Sequence, residues 1–166
     1  DGSTTMVVGH DMRLSSPSLV EALKDGLLEV GCDVINVGLV DTPFIAFAVN
    51  HLDAIGGIQT TASHNPAQYN GFKICREKAR PVGMGTGLEK IQKMTEDGAN
   101  PTIDTVRGSE KTMDLWDVYR EHVFIYLDPK IQSGEVTIRA AVDASNGMAG
   151  TMVPKLFSHV KGLDLI

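Results

Sequence analysis

Residues 6–38, MVVGHDMRLSSPSLVEALKDGLLEVGCDVINVG, decide how this chain folds. Met6-Val7-Val8-Gly9 is an apolar run of strand length that gives way to the polar Gly9-His10-Asp11-Met12-Arg13. A helix is predicted to start at Ser15 or Ser16 with Pro17 in its first turn, where a missing N–H and a fixed φ are tolerated. Leu19, Val20, Leu23, Leu27, Leu28 and Val30 then recur at helical spacing, and Gly31 ends the helix. Asp33-Val34-Ile35-Asn36-Val37-Gly38 is a second strand. Strand, helix and strand joined by short polar turns make a βαβ unit.

Working outward, Thr42 before Pro43 opens a second helix carrying Ile45, Phe47, Ala48, Val49 and Leu52. Ala54-Ile55-Gly56-Gly57-Ile58-Gln59 is a third strand, and residues 71–75 a fourth that points back from the loop between them. The continued alternation predicts an α/β fold: a mixed, mostly parallel sheet with helices on both faces. Residues 76–87 read as a polar, glycine-containing connector, 88–94 as a short helix, 98–109 as a further polar stretch, and 115–127 as a helix with Trp116, Tyr119, Val123 and Tyr126 on one side. After Asp128-Pro129 the pattern restarts: strand 138–143, turn Ser145-Asn146-Gly147, helix 152–160 and strand 163–166. Two domains are expected, 1–128 and 129–166, the second a truncated βαβ opening of a similar domain. The first residue is Asp1, and a strand follows almost at once, so the chain reads as cut from something longer.

At 166 residues the chain can bury one full core and part of a second. A net charge of -6 with no acidic or basic run provides no footprint for nucleic acid or for an anionic membrane, and neither partner is expected. No apolar run approaches the roughly 20 residues of a membrane-spanning helix. Cys32 and Cys75 both lie in apolar, strand-like runs, which predicts buried free thiols and a reducing, cytoplasmic setting.

The chemistry concentrates in Thr60-Thr61-Ala62-Ser63-His64-Asn65-Pro66 and Tyr69-Asn70-Gly71-Phe72-Lys73-Ile74. The third strand delivers Ser63 into a loop that Pro66 keeps irregular, so a serine nucleophile is held on one side and exposed on the other. Serine at its free pKa is a weak nucleophile and needs a base, a cation or an attached phosphoryl group. His64, Asn65 and Lys73 provide donors or a base nearby. A serine hydrolase is disfavoured: Ser63 is not in a GxSxG elbow, and His64 as its immediate neighbour is badly placed to aim back at it. The Gly83-Met84-Gly85-Thr86-Gly87 run follows a charged stretch rather than an apolar strand, and reads as a connector rather than a nucleotide loop.

TASHNP followed by YNGFKI resembles the active-site serine loop of the α-D-phosphohexomutases, the phosphomannomutase and phosphoglucomutase group. The resemblance spans the chain: Gly9, Asp11, Arg13 and Ser15 match the family's GxDxR element, Thr42-Pro43 its second-helix opening, and Val142-Asp143 with Asn146-Gly147 the start of its second domain. It implies an enzyme that interconverts hexose 1-phosphate and hexose 6-phosphate through a phosphoserine and a bisphosphorylated sugar. Ser63 would be the phosphoserine, and its phosphate one ligand of Mg²⁺, with the remaining ligands absent from this chain, which contains no DxDGD. His64 and Lys73 are implied as catalytic, Lys73 in proton transfer, and Asn65 and Arg13 as substrate- or phosphate-binding. Glucose or mannose phosphate is the implied substrate, the missing C-terminal domains of the same chain are the implied partners, and this fragment alone is expected to be inactive.

Plainer readings stand beside these. His64 can be a structural loop histidine, Lys73 a solvated charge on a strand edge, and Asp11 with Arg13 an ion pair beneath the loop. His10 and Thr60 depart from the family pattern, which usually has arginine and an apolar residue there. The alternative function is a phosphosugar-binding module that uses the same donors without turnover.

Overall fold

The computed structural model describes residues 4–98 and 106–166. They fall into two compact units, Asp1–Met113 and Asp114–Ile166.

The first unit is built on β1 (Thr5–His10), α1 (Ser16–Glu29), β2 (Asp33–Leu39), α2 (Thr42–His51), β3 (Gly56–Thr60), β4 (Phe72–Arg76), β5 (Arg80–Pro81), α3 (Leu88–Glu96) and β6 (Glu110–Thr112). They make one six-stranded sheet in the order β5-β4-β3-β1-β2-β6. The four strands from β3 to β6 run parallel, while β4 and β5 are antiparallel additions at one edge. The expected mixed, mostly parallel sheet is therefore present.

Strand order explains why the helices take opposite faces. The chain steps from β1 to β2 in one direction and from β2 over β1 to β3 in the other, and right-handed crossovers put those two connections on opposite sides. Side-chain alternation agrees. Val8 and Val34 pack with Val20 and Leu28 of α1. On the other face, a Cβ at Gly57 would stand 2.6 Å from Val49 Cγ2 and 2.8 Å from Ile45 Cγ2, so α2 lies directly on the sheet there. Phe44, Ile45, Ala48 and Val49 are all buried by that contact. The N-cap of α2 is Asp41, whose carboxylate accepts from Phe44 N at 3.0 Å, one residue before the Thr42 expected to open it. Burial pushes the Asp41 pKa up against that hydrogen bond.

Two strands escape the sequence reading. β5 lies inside the stretch read as a connector. β6 follows directly on the polar stretch 98–109, most of which lies outside the described residues, and pairs with β2 through Val34, Ile35 and Asn36. No apolar residue marks Glu110, Lys111 or Thr112; the strand is held instead by backbone pairing and by Lys24 of α1, whose buried ammonium sits 2.7 Å from Glu110 and 2.9 Å from Glu21. The glycine run 83–87 satisfies its own amides, with Gly83 N donating to Thr86 Oγ1 and Gly85 N to Glu89, as a connector would. Cys32 and Cys75 are free but half-buried rather than buried.

The second unit contains α4 (Trp116–Phe124), α5 (Pro129–Ser133), β7 (Ile138–Ala140), α6 (Ala149–Phe157) and β8 (Leu163–Leu165), with β7 and β8 parallel. Strand, helix and parallel strand form the expected βαβ unit. The division between units falls at Met113 and Asp114, not near Asp128, because α4 packs on α6. Phe124 stacks on Phe157 at 6.2 Å, Lys155 Nζ lies 4.4 Å over the Trp116 ring, and Arg120 donates to Lys155 O. Tyr119 is buried on that side, whereas Tyr126, expected on the same stripe, is 79% exposed. Among the described residues no helix is long and apolar enough to cross a membrane.

Candidate active site

In an open parallel sheet the carboxyl ends of two neighbouring strands leave a crevice where the strand order reverses. Here that point lies between β1 and β3, whose last residues, His10 and Thr60, pair with each other. The chain leaving β1 carries His10-Asp11-Met12-Arg13, and the chain leaving β3 carries Thr61 to Tyr69. Topology thus brings together two segments some fifty residues apart.

Asp11 is the joint between them. Its backbone N donates to Thr60 O at 3.0 Å. One carboxylate oxygen accepts from Ser16 Oγ at 2.6 Å and from Arg13 N at 3.0 Å, so the same oxygen fixes the start of α1. The other accepts from Thr61 Oγ1 at 2.7 Å and lies 3.3 Å from Arg13 Nε. Burial raises the pKa of this carboxyl, but hydrogen bonds from Ser16, Thr61 and the Arg13 amide, with the Arg13 charge, outweigh it and hold the group below its ordinary value. Asp11 therefore stays ionised in a buried position.

Arg13 reaches across to the serine loop. Its Nη1 donates to Pro66 O at 2.9 Å and Tyr69 O at 3.0 Å, and its Nη2 to Ser63 O at 2.9 Å and Asn65 O at 2.6 Å. A guanidinium has five N–H donors; four are on these carbonyls, and Nε lies 3.3 Å from Asp11 in an ion pair. Arg13, expected among the phosphate-binding residues, turns its Nη donors to the loop backbone.

Ser63 itself is exposed at the head of the loop with φ 57°, a left-handed conformation uncommon for serine. Its amide donates to Thr61 Oγ1 at 2.9 Å, and its Oγ lies 3.3 Å from His64 Nδ1. The expectation that His64 is badly placed to address Ser63 is thus corrected. Neighbouring side chains diverge in an extended strand; a left-handed residue breaks that alternation. Asn65 closes a turn with its N on Ala62 O at 3.0 Å and leaves its side chain exposed.

Lys73 sits on β4, opposite Gln59 of β3, and is exposed. Among the described residues no hydrogen bond or ion pair joins it to Ser63. Its neighbour Phe72 on the same strand is 44% exposed. His10 turns Nδ1 to Asp11 O at 2.8 Å. Thr60 is fully buried with its hydroxyl unpartnered, as is Gln59 Oε1.

Two residues that brace the loop go unassigned in the sequence reading although they lie inside the motifs. Thr61 bridges Asp11 to the Ser63 amide. Asn70 donates to both Ser15 Oγ and Ser16 Oγ at 2.9 Å, tying the far end of the loop to α1. Among the described residues no three His, Cys, Asp or Glu side chains are grouped to hold a cation.

Comparison with known proteins agrees with this geometry. The family described as "Phosphoglucomutase/phosphomannomutase, alpha/beta/alpha domain I" matches residues 1–101. Phosphomannomutase from Escherichia coli (strain K12) is 40% identical over 160 residues, covering 96% of this chain and 34% of its own length. Proteins named phosphohexose mutases from Xanthomonas campestris pv. campestris are 41% identical over 159 residues, covering 93% of this chain and 34% of theirs. A crystal structure of a phosphoglucomutase/phosphomannomutase family protein from Burkholderia thailandensis superposes with a TM-score of 0.75 at 33% identity, covering 98% of this chain and 35% of that one. The chain spans about a third of the length of the curated relatives it matches. A match over most of the chain, on a sheet whose switch point presents the TASHNP serine, means that this chain belongs to the phosphoglucomutase/phosphomannomutase family.

Proposed function

We propose that this chain supplies the phosphoserine loop of a phosphohexomutase that interconverts hexose 1-phosphate and hexose 6-phosphate, with Ser63 as the phosphoryl carrier. The observation that carries this reading is the pairing of an exposed Ser63 Oγ with a loop anchored on both sides by the Asp11 and Arg13 network. Phosphoryl transfer depends chiefly on positioning and on spreading charge, and a rigid serine loop is what that requires of this part of the enzyme. The names of the relatives support a hexose phosphate, glucose or mannose, as substrate.

In the forward step the O–P bond of phosphoserine 63 breaks and Ser63 Oγ leaves and takes up a proton, while a sugar hydroxyl oxygen forms the new P–O bond and releases its proton. In the return step Ser63 Oγ gives up that proton and accepts the other phosphoryl group, while the sugar P–O bond breaks and the freed sugar oxygen is protonated. His64 Nδ1, 3.3 Å from Oγ, is within reach of that proton. Lys73, on the strand returning from the loop, is assigned to proton movement at the sugar hydroxyl, and Asn65 to the phosphate through its exposed amide. Mg²⁺ bound to the phosphoserine would offset phosphate charge, but its carboxylate ligands must come from outside the described residues. On its own this chain is expected to carry the phosphoryl group without turning over sugar phosphate.

The test is Ser63→Ala in the full natural protein containing this chain. Intact-mass measurement of the active wild type should find one phosphoryl group that the variant lacks, with mutase turnover lost and the fold retained. A fully active Ser63→Ala protein would end this reading.

A further inference from the structure

We propose that Arg13 is the positioning residue of Ser63: it holds the loop in the one conformation that presents both Oγ and the neighbouring amide donors to a phosphoryl group. The inference rests on the reading of Ser63 as phosphoryl carrier and assigns the machinery that readies it.

The four peptide carbonyls that converge on the guanidinium belong to Ser63, Asn65, Pro66 and Tyr69. No peptide in the described chain is cis, and in a planar trans peptide the C=O and the following N–H point opposite ways. Turning these carbonyls inward therefore turns the N–H groups of His64, Ala67 and Asn70 outward; Asn65 is followed by Pro66, which has none. None of the three outward amides donates to a protein acceptor among the described residues. Of the other loop amides, Ser63 N is engaged on Thr61 Oγ1, Asn65 N on Ala62 O and Tyr69 N on Pro66 O. The His64 amide is the peptide next to Ser63, so a phosphoryl group on Oγ meets it first.

The same contacts hold Ser63 at φ 57°. That conformation is unfavourable for a residue with a Cβ and persists only where surroundings over-determine it. Ser63 is gripped at its amide by Thr61 and at its carbonyl by Arg13, and both grips trace to Asp11. Arginine is required because a planar fork serves four carbonyls and a carboxylate at once, whereas an ammonium has three donors on a single atom.

The experiment uses Arg13→Lys and Thr61→Val in the full natural protein, with melting temperature confirming the fold. Since the Arg13 Nη donors are turned to the loop carbonyls, the expected result is a kcat lower by roughly 10²-fold, the scale of an ångström-level misplacement, with KM within about twofold. The ³¹P resonance of phosphoserine 63 should shift in both variants as the amide donors lose alignment. A raised KM with kcat intact would make Arg13 a substrate ligand and overturn the proposal. Unchanged kcat and unchanged ³¹P shift in folded variants would reduce the network to a brace, as would loss of fold in both. Ser63→Ala separates the two claims: if it stays active the carrier reading fails, whereas a required, phosphorylated Ser63 with indifferent Arg13 and Thr61 variants sinks only this proposal.

Discussion

Replacing Asp11 by asparagine keeps the shape of the residue that joins β1, α1 and the serine loop, and removes its charge. One carboxylate oxygen accepts from Ser16 Oγ and the Arg13 amide; the other accepts from Thr61 Oγ1 and pairs with the Arg13 guanidinium charge at 3.3 Å. An asparagine NH₂ in either place faces donors. On the Arg13 side it deprives the guanidinium of its counter-charge and confronts the Thr61 hydroxyl; on the Ser16 side it strands the Arg13 amide. Hydrogen bonds to charged groups contribute about 1.5–3 kcal/mol each, and breaking a buried ion pair from one side costs about 3–5 kcal/mol. The expected loss is therefore about 3–5 kcal/mol, a large part of the roughly 5–15 kcal/mol that stabilises a domain. The pH dependence has a defined sign. The folded pKa lies below the ordinary 3.8, so the contribution is fully present above that value and is lost as pH falls through the folded pKa. Urea unfolding of wild type and Asp11→Asn should be followed by circular dichroism, because the single tryptophan, Trp116, lies in the second unit. The stability difference should be constant near neutrality and shrink in acid below about pH 3.8. A difference under about 1 kcal/mol, the size of an ordinary neutral hydrogen bond, or one indifferent to acid, would refute the account of the network.

What the sequence reveals here is whatever repeats or punctuates locally. Pro17 and Gly31 bracket α1 because a missing N–H and a left-handed residue, φ 80° at Gly31, belong at helix ends. Alternating strand and helix patterns suffice for a parallel sheet. Glu110-Lys111-Thr112 carries no such pattern, since an edge strand of three residues buries no side chain and takes its identity from β2. Helical spacing in 115–127 identifies an apolar stripe without saying what covers it, and that is why α4 is found with α6 instead of with the first unit. The site divides the same way. Ser63 is legible because its motif is contiguous. The role of Arg13 is not: its four carbonyl partners lie 50 to 56 residues away, and only the adjacency of the β1 and β3 ends makes them neighbours.

Three further outcomes are expected. Gly56→Ala should destabilise the first unit by about 1–3 kcal/mol, since a Cβ there would stand 2.5 Å from Cys75 O in the β3–β4 ladder; unchanged urea midpoints would show that the ladder yields freely. Lys24→Met should cost about 1–2 kcal/mol, less than a fully buried pair, because its partner carboxylates reach solvent. Burial works against the Lys24 charge, but Glu110 and Glu21 outweigh it and raise its pKa above 10.5, so this contribution holds at neutral pH and disappears as pH climbs through the folded value; a variant gap that persists in strong alkali would contradict it. Lys73→Met separates chemistry from folding. The side chain is exposed and makes no ion pair among the described residues, so stability should change by no more than about 0.5 kcal/mol. If Lys73 moves the sugar hydroxyl proton, turnover in the full natural protein should fall by roughly 10²–10⁴-fold while Ser63 still takes up its phosphoryl group. Undiminished turnover would remove Lys73 from the mechanism, and it would leave Ser63 untouched, because the serine is held by Arg13 and Thr61 and by nothing on β4 at position 73.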